Sequence, residues 1–377
     1  MKKNIILFYV LAFLQGLVFY SSIATLYRTS NGLTLYQMGI IEGCFSLCII
    51  LFEIPWGMIC DKIGYKKTMI IANIFYFLSK IVFYKANGFV LFLLERIFLA
   101  LAVSGLSGCD SSLLYLSCDK EDSTAVFGKS SMFGVIGMVI ASFSFTFIFK
   151  SNMQLAAFAT IFPFAIQLVL TFFITDYPTQ NEEIVTLKQI TRNIFNYKTI
   201  ILVLLASVLL TETTHILTIF YNQLQYERVG IPLPYYGMIF MVLQLLGTTS
   251  GLLGKLTTYF TKETIAKTLF LLAAIASLGL YFSIDPISTV ILFMILTSIE
   301  ALYFPILQTI QNESVTTSRA TTLSCYSLIM NIASMFINYT FGYVSNTSLT
   351  NAYLLSFTFC IIGYILFTLW NSKQVSN

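Results

Sequence analysis

At 377 residues the chain is 57% hydrophobic, 16% aromatic and only 10% charged, with a mean hydropathy of +0.82. That composition excludes a soluble globular domain, in which charged residues make up about a quarter of the total. The net charge of +4 implies no nucleic-acid partner; the partner that the composition does imply is a lipid bilayer.

Met1-Lys2-Lys3 leads into an apolar run too long for a signal-peptide core and without a small-residue cleavage site, so a first spanning helix is expected rather than a cleaved leader. Apolar runs of about 20 residues, each able to cross a ~30 Å hydrocarbon core, then recur along the chain. They predict twelve spans at roughly 4–27, 35–60, 67–85, 88–112, 128–149, 153–175, 199–223, 233–254, 264–283, 286–311, 320–343 and 350–370. The longest polar interruption, Asp176 to Lys198, holds Pro178 and an amphipathic piece and divides the spans six and six. The expected fold is all-α and integral to the membrane. It has one six-helix bundle over 1–175, a cytoplasmic linker over 176–198 and a second six-helix bundle over 199–377.

Charge sets the orientation. With the N-terminus inside, cytoplasmic segments hold about 15 of the Lys and Arg residues and external loops about 4. Lys66, Lys67, Lys120, Lys129, Lys188, Arg192, Lys255, Lys262, Lys267 and Arg319 belong to the cytoplasmic set. Both termini are therefore expected in the cytoplasm. Lys80 and Arg96 are the basic residues set within spans.

Between the second and third spans lies Gly57-Met58-Ile59-Cys60-Asp61-Lys62-Ile63-Gly64-Tyr65-Lys66-Lys67, a charged turn between two apolar segments. Gly57 is expected to let two helices approach closely, and Gly64 to take the positive φ that ends one helix before the next. Asp61 is suited to accept from free N–H groups at another helix's N-terminus. Gly57, Asp61, Lys62, Gly64, Lys66 and Lys67 match the signature loop of the major facilitator superfamily, Gly-x3-Asp-Arg/Lys-x-Gly-Arg/Lys-Arg/Lys, which the chain resembles. The lead-in Glu53-Ile54-Pro55-Trp56 is similar to that of bacterial efflux-type members. So are the run from Ser107 to Tyr115, which includes Asp110, and Asn312 with Arg319 to Ser324. Gly251-x3-Lys255 sits at the end of span 8 where Gly57-x3-Asp61 sits at the end of span 2, a faint internal repeat that keeps the glycine and loses the aspartate.

The resemblance implies a secondary transporter working by alternating access at the bacterial plasma membrane, with a small-molecule substrate and protons as partners. A monomer suffices for that mechanism, and no cofactor, metal or enzymatic activity is implied. It also implies a gating network of Glu53, Asp61 and Asp110 around the loop, and a proton-coupling role for Arg96. Span 5 departs from the efflux pattern: it offers Gly134, Gly137 and Ala141 with no proline. Efflux of an amphipathic or cationic compound thus rests on the resemblance, while metabolite uptake or export of a peptide or signal molecule stays open on the same fold.

The residues themselves point to an aqueous interior. Span 11 carries Ser324, Ser327, Asn331, Ser334 and Asn338 at steps of three and four, and span 7 carries Thr211, His215, Thr218 and Asn222. Polar stripes on spanning helices must face protein or water. Ionisable groups within spans cost several kcal/mol, which makes each a functional candidate. Glu212 and Glu300 are candidates for coupling protons or attracting a cationic substrate, with His215 one turn from Glu212 and able to share its face. Glu42 and Glu53, eleven residues apart on span 2, are expected on one face. Glu95 is not expected to share the face of Arg96. The alternative reading of each is a structural, hydrogen-bonded group.

Two further readings are weaker. Gly105-Leu106-Ser107-Gly108 resembles the nucleophile turn of rhomboid-type intramembrane serine proteases, with His215 as the base, but small residues there are explained by close helix packing. A sensor built on the transporter fold would be expected to carry long soluble domains, for which the sequence has no candidate segment. The seven cysteines, Cys44, Cys48, Cys60, Cys109, Cys118, Cys325 and Cys360, show no CxxC spacing and imply neither a metal site nor a disulfide framework.

Overall fold

In the computed structural model the described residues are 2–107, 109–118, 123–177, 198–247, 256–314 and 319–375, and every regular element among them is helical. α1 (Lys2–Gly16) leads through a 3₁₀ turn (Ser21–Ile23) into α2 (Ala24–Ser30). Next come α3 (Leu35–Ile63), α4 (Tyr65–Lys85), α5 (Phe89–Leu106), α6 (Cys109–Leu116), α7 (Ser123–Phe147) and α8 (Met153–Thr171). α9 (Lys198–His215) continues through a π-helical segment (Ile216–Tyr221) into α10 (Asn222–Arg228). The last are α11 (Pro234–Leu246), α12 (Lys262–Phe282), α13 (Pro286–Glu313), α14 (Arg319–Ser345) and α15 (Leu349–Val375).

Ten runs among the described residues are long and apolar enough to cross a membrane, and Pro234–Leu246 is a shorter apolar helix. α8 shows why such helices suit lipid. Its exposed positions Phe158, Phe162, Ile166 and Val169 step by three and four, whereas its buried face holds Thr160, Gln167 and Thr171. Gln167 there bonds to Asn73 of α4. In lipid the polar groups turn inward and find partners.

Local chemistry sets the helix ends. Gly64 (φ +90°) and Gly88 (φ +78°) supply the left-handed residues that precede α4 and α5. Asn152 caps α8 by accepting from the Leu155 N–H, and Thr261 caps α12 by accepting from the Thr264 N–H. Asp285 caps α13 by accepting from the N–H groups of Ile287 and Ser288 at 2.9 and 3.0 Å, with Pro286 in the first turn. The Ser288 hydroxyl also donates to Asp285, and these bonds hold its carboxyl below the usual carboxylate range.

The chain forms two compact units. The first comprises Met1–Leu33, Cys44–Glu182 and Leu233–Gln244; the second comprises Thr34–Gly43, Glu183–Pro232 and Leu245–Asn377. In the first, α4 packs on α5 and α8, and α1 on α7. A Cβ at Gly105 of α5 would meet Trp56 and Ala72 at 2.9–3.0 Å, so this glycine is what lets α5 lie against α3 and α4. In the second, α9 packs on α14 and α15, and α12 on α13 and α15. Gly39, at the start of α3, lies so close to α14 that a Cβ there would sit 2.7 Å from the Gly342 Cα. Of the sequence features above, residues 178–197, Gly108, Lys120 and Gly251 to Lys255 lie outside the described residues. So do the side chains of Asn312 and of Arg319 to Cys325.

Candidate functional site

The second unit gathers four of the expected ionisable residues. Glu212 of α9 accepts at Oε2 from the Asn338 amide of α14 at 3.1 Å. Asn338 itself is buried and also donates to the Ser334 carbonyl at 3.0 Å, which fixes its amide. One turn after Glu212, His215 Nδ1 lies 3.4 Å from Glu300 Oε1 of α13. The carboxylates of Glu300, Glu212 and Glu42 all act on this imidazole by charge. His215 is 48% exposed and Glu300 34%, so the pair is open rather than sealed in the core. Glu42 and Asn338 also line a small cavity with Met38, Ile216 and Tyr221, whose volume of about 20 Å³ holds roughly one water. Asn331, on the same helix as Asn338, is half-buried; the bond to Glu212 comes instead from two turns further along.

The π-helical segment immediately after His215 changes the expected stripe. Thr211 and His215 keep helical register, but the wider π turn rotates the residues beyond it. Thr218 and Asn222 are buried, and Thr218 donates back to the Thr214 carbonyl at 2.8 Å. Of the residues of the expected stripe, His215 is exposed, Thr211 half-buried and Thr218 and Asn222 buried in the protein.

Chemically, each of two carboxylates has one side-chain partner on another helix. Asn338 donates to Glu212, and the His215 ring nitrogen, donor or acceptor according to its tautomer, lies within reach of Glu300.

The first unit holds a different cluster, only partly expected from sequence. Arg28 Nη2 pairs with Glu95 Oε2 at 3.6 Å, and both are almost fully buried (3% and 1%). Arg96 Nε lies 4.0 Å from the same carboxylate oxygen, and its guanidinium stands 5.3 Å over the Phe45 ring. Glu95 and Arg96 meet only at their tips. Their stems do leave α5 in different directions, but the length of Arg96 lets its Nε reach back. Lys80, 4% exposed, donates to the Tyr20 hydroxyl at 3.2 Å amid the rings of Tyr20, Tyr76 and Phe164. Hydropathy does not single out Arg28, because it lies past the first expected span. The 3₁₀ turn and α2 carry that run on to Ser30, and Arg28 goes inside with it.

At the loop, α3 ends at Ile63, Gly64 turns, and α4 begins at Tyr65. Gly57 corrects an expectation: among the described residues a Cβ there would meet nothing within 4 Å, and the close approach is made by Gly105 instead. Asp61 is exposed in the last turn of α3. The carboxylate seated at the start of α4 is that of Asp176, which accepts from the Lys66 N–H at 3.2 Å. In the sequence Asp176 is merely the first residue of the polar linker. Glu53, Lys62 and Lys67 are exposed, and Lys66 and Asp110 half-buried. Asp110 accepts from the Ser111 N–H at 2.6 Å.

Comparisons with known proteins agree with this architecture. The family model described as Major Facilitator Superfamily matches residues 5–336. An uncharacterized MFS-type transporter of Methanocaldococcus jannaschii is 28% identical over 100 residues, which is 26% of this chain and 26% of that relative. The chain thus aligns with about a quarter of that relative's length. Among solved structures, the nucleoside transporter NupG superposes with a TM-score of 0.83 at 15% identity, covering 97% of this chain and 98% of that one. A D-xylose-proton symporter gives 0.75 at 13% identity, with 97% of each chain covered. A bacterial homolog of the human lysosomal transporter Spinster gives 0.73 at 17%, covering 98% and 96%. At these identities the structures speak for the fold, and the family model speaks for descent: the chain belongs to the major facilitator superfamily.

Proposed function

We propose that the protein is a proton-coupled secondary transporter that exports an amphipathic or cationic small molecule by alternating access. In this reading it has twelve spans in two six-helix bundles (1–175 and 199–377), a cytoplasmic linker and both termini in the cytoplasm of a bacterium. The observation that carries it is the paired arrangement of Glu212 with Asn338 and His215 with Glu300, open enough to exchange protons. Three carboxylates and a single imidazole also give that cluster the charge to attract a cation. Glu212 and Glu300 carry the proton, His215 adjusts their affinity for it, and Glu42 adds negative charge. Asp61, with Glu53, Asp110 and the loop lysines, gates the cytoplasmic side. Arg96 supports coupling from the first unit.

The test is loss of ethidium from loaded cells, with and without a protonophore, comparing wild type, Glu212→Gln, Asp61→Asn and an empty vector. Protonophore-sensitive loss in wild type alone supports the reading. A well-expressed protein that behaves as the empty vector overturns the cation-exporter reading and directs the search to metabolites, nucleosides and peptides taken up or exported.

A further inference from the structure

Cys60, in the last turns of α3, and Cys109, the first residue of α6, belong to the same unit and are both buried (5% and 4%). The Cys109 thiol donates to Cys60 Sγ at 2.9 Å. Two sulfurs in ordinary contact stand well over 3 Å apart and in a disulfide about 2.05 Å, so bond formation needs a movement of under about 1 Å. Met69, Ala72, Leu106 and Leu113 pack around the pair and hold the two helices in this relation. Each cysteine directly precedes an acidic residue, Asp61 and Asp110. Asp61, next to Cys60 in sequence, is exposed.

We propose that Cys60 and Cys109 are an oxidation site that closes to an intramolecular disulfide, pins the end of α3 to α6 and so arrests the signature loop. The oxidant is a low-molecular-weight disulfide. The thiolate of one cysteine attacks it and releases one small thiol, leaving a mixed disulfide. The second cysteine, after giving up its proton, attacks the protein sulfur of that mixed disulfide and releases the other small thiol. Two protein thiols are oxidised, one small disulfide is reduced to two thiols, and both protons leave with them. In a reducing cytoplasm the pair rests as thiols, and an oxidising episode closes it.

The test uses the full-length protein, reduced and then treated with oxidised glutathione or with diamide. Diamide's N=N bond accepts the same two electrons and two protons. After unfolding, maleimide should modify five thiols where the untreated chain has seven (7 − 2 = 5). Digestion should give one linked peptide pair containing Cys60 and Cys109, absent from Cys60→Ser and from Cys109→Ser. Ethidium loss should slow several-fold on oxidation in wild type and recover with dithiothreitol, and the serine variants should not respond to diamide. A stable mixed disulfide at one cysteine, a link between other cysteines, or no link would overturn the site. A Cys60–Cys109 link with transport undiminished would overturn its control of the loop. The mass readout needs no substrate, so it decides the pair even if ethidium proves not to be transported.

Discussion

The two charged clusters differ in sign and in how they are enclosed. In the first unit Arg28 and Arg96 reach one carboxylate, Glu95, Lys80 is held by Tyr20, and the Arg28–Glu95 pair is almost fully buried. In the second unit Glu42, Glu212 and Glu300 surround one imidazole, and the His215–Glu300 pair is a third to a half exposed. A charge taken out of water is costly unless paired, so the buried cluster is a fixed structural commitment. The open cluster has neutral or titratable partners and lies partly exposed. Both hold ionisable residues of expected spans, such as Glu95 and Glu212. Enclosure tells them apart.

That contrast can be broken most sharply at Glu95. Glu95→Gln strands the Arg28 guanidinium in the core and should cost about 3–5 kcal/mol of stability, read as a large fall in the melting temperature of the solubilised protein. A melting temperature equal to that of wild type would mean that the cluster is not the fixed one. Next comes the open cluster, where the expected pattern is the reverse. His215→Gln keeps a hydrogen-bond donor toward Glu300 but no longer titrates. It should leave stability within about 1 kcal/mol while flattening the pH profile of transport and slowing it several-fold. An unchanged pH profile would remove His215 from proton exchange.

The smallest effect is expected at Asp285, a carboxylate outside both clusters. Its folded-state pKa is depressed, first by the Ser288 hydroxyl. Such a group contributes stability above its unfolded pKa and loses it as pH falls through the folded value. Ser288→Ala should therefore lower the melting temperature slightly at neutral pH, and the gap to wild type should narrow under acid conditions. A gap that stays constant or widens toward low pH would contradict the assigned cause. Because Asp285 lies on the surface, this variant calibrates what an ordinary helix cap contributes beside the two clusters.

Much of the architecture was legible because bilayer physics writes itself into sequence: long apolar runs, basic loops and a loop motif with Gly64 at the left-handed turn. Glu212, Glu300 and His215 stood out as costly residues in apolar runs. Their pairings were not legible, since Asn338 and Glu300 reach them from helices 126 and 85 residues away. Arg28 looked like a loop residue because hydropathy cannot see a 3₁₀ turn that carries the helix onward. Gly57 and Gly105 are alike in sequence, and only packing shows which of them a neighbour crowds.

By itself, then, the sequence determined that the chain enters lipid as helices, because no other arrangement of an apolar backbone satisfies its hydrogen bonds there. It also determined which side chains would be expensive to bury. Tertiary structure alone decided which of those charges are sealed with a partner and which stay open. It alone set the π turn after His215 and the meeting of two cysteine thiols 49 residues apart. The reason is range: hydropathy and helical period act over a few turns, whereas enclosure and pairing depend on helices brought together from distant parts of the chain.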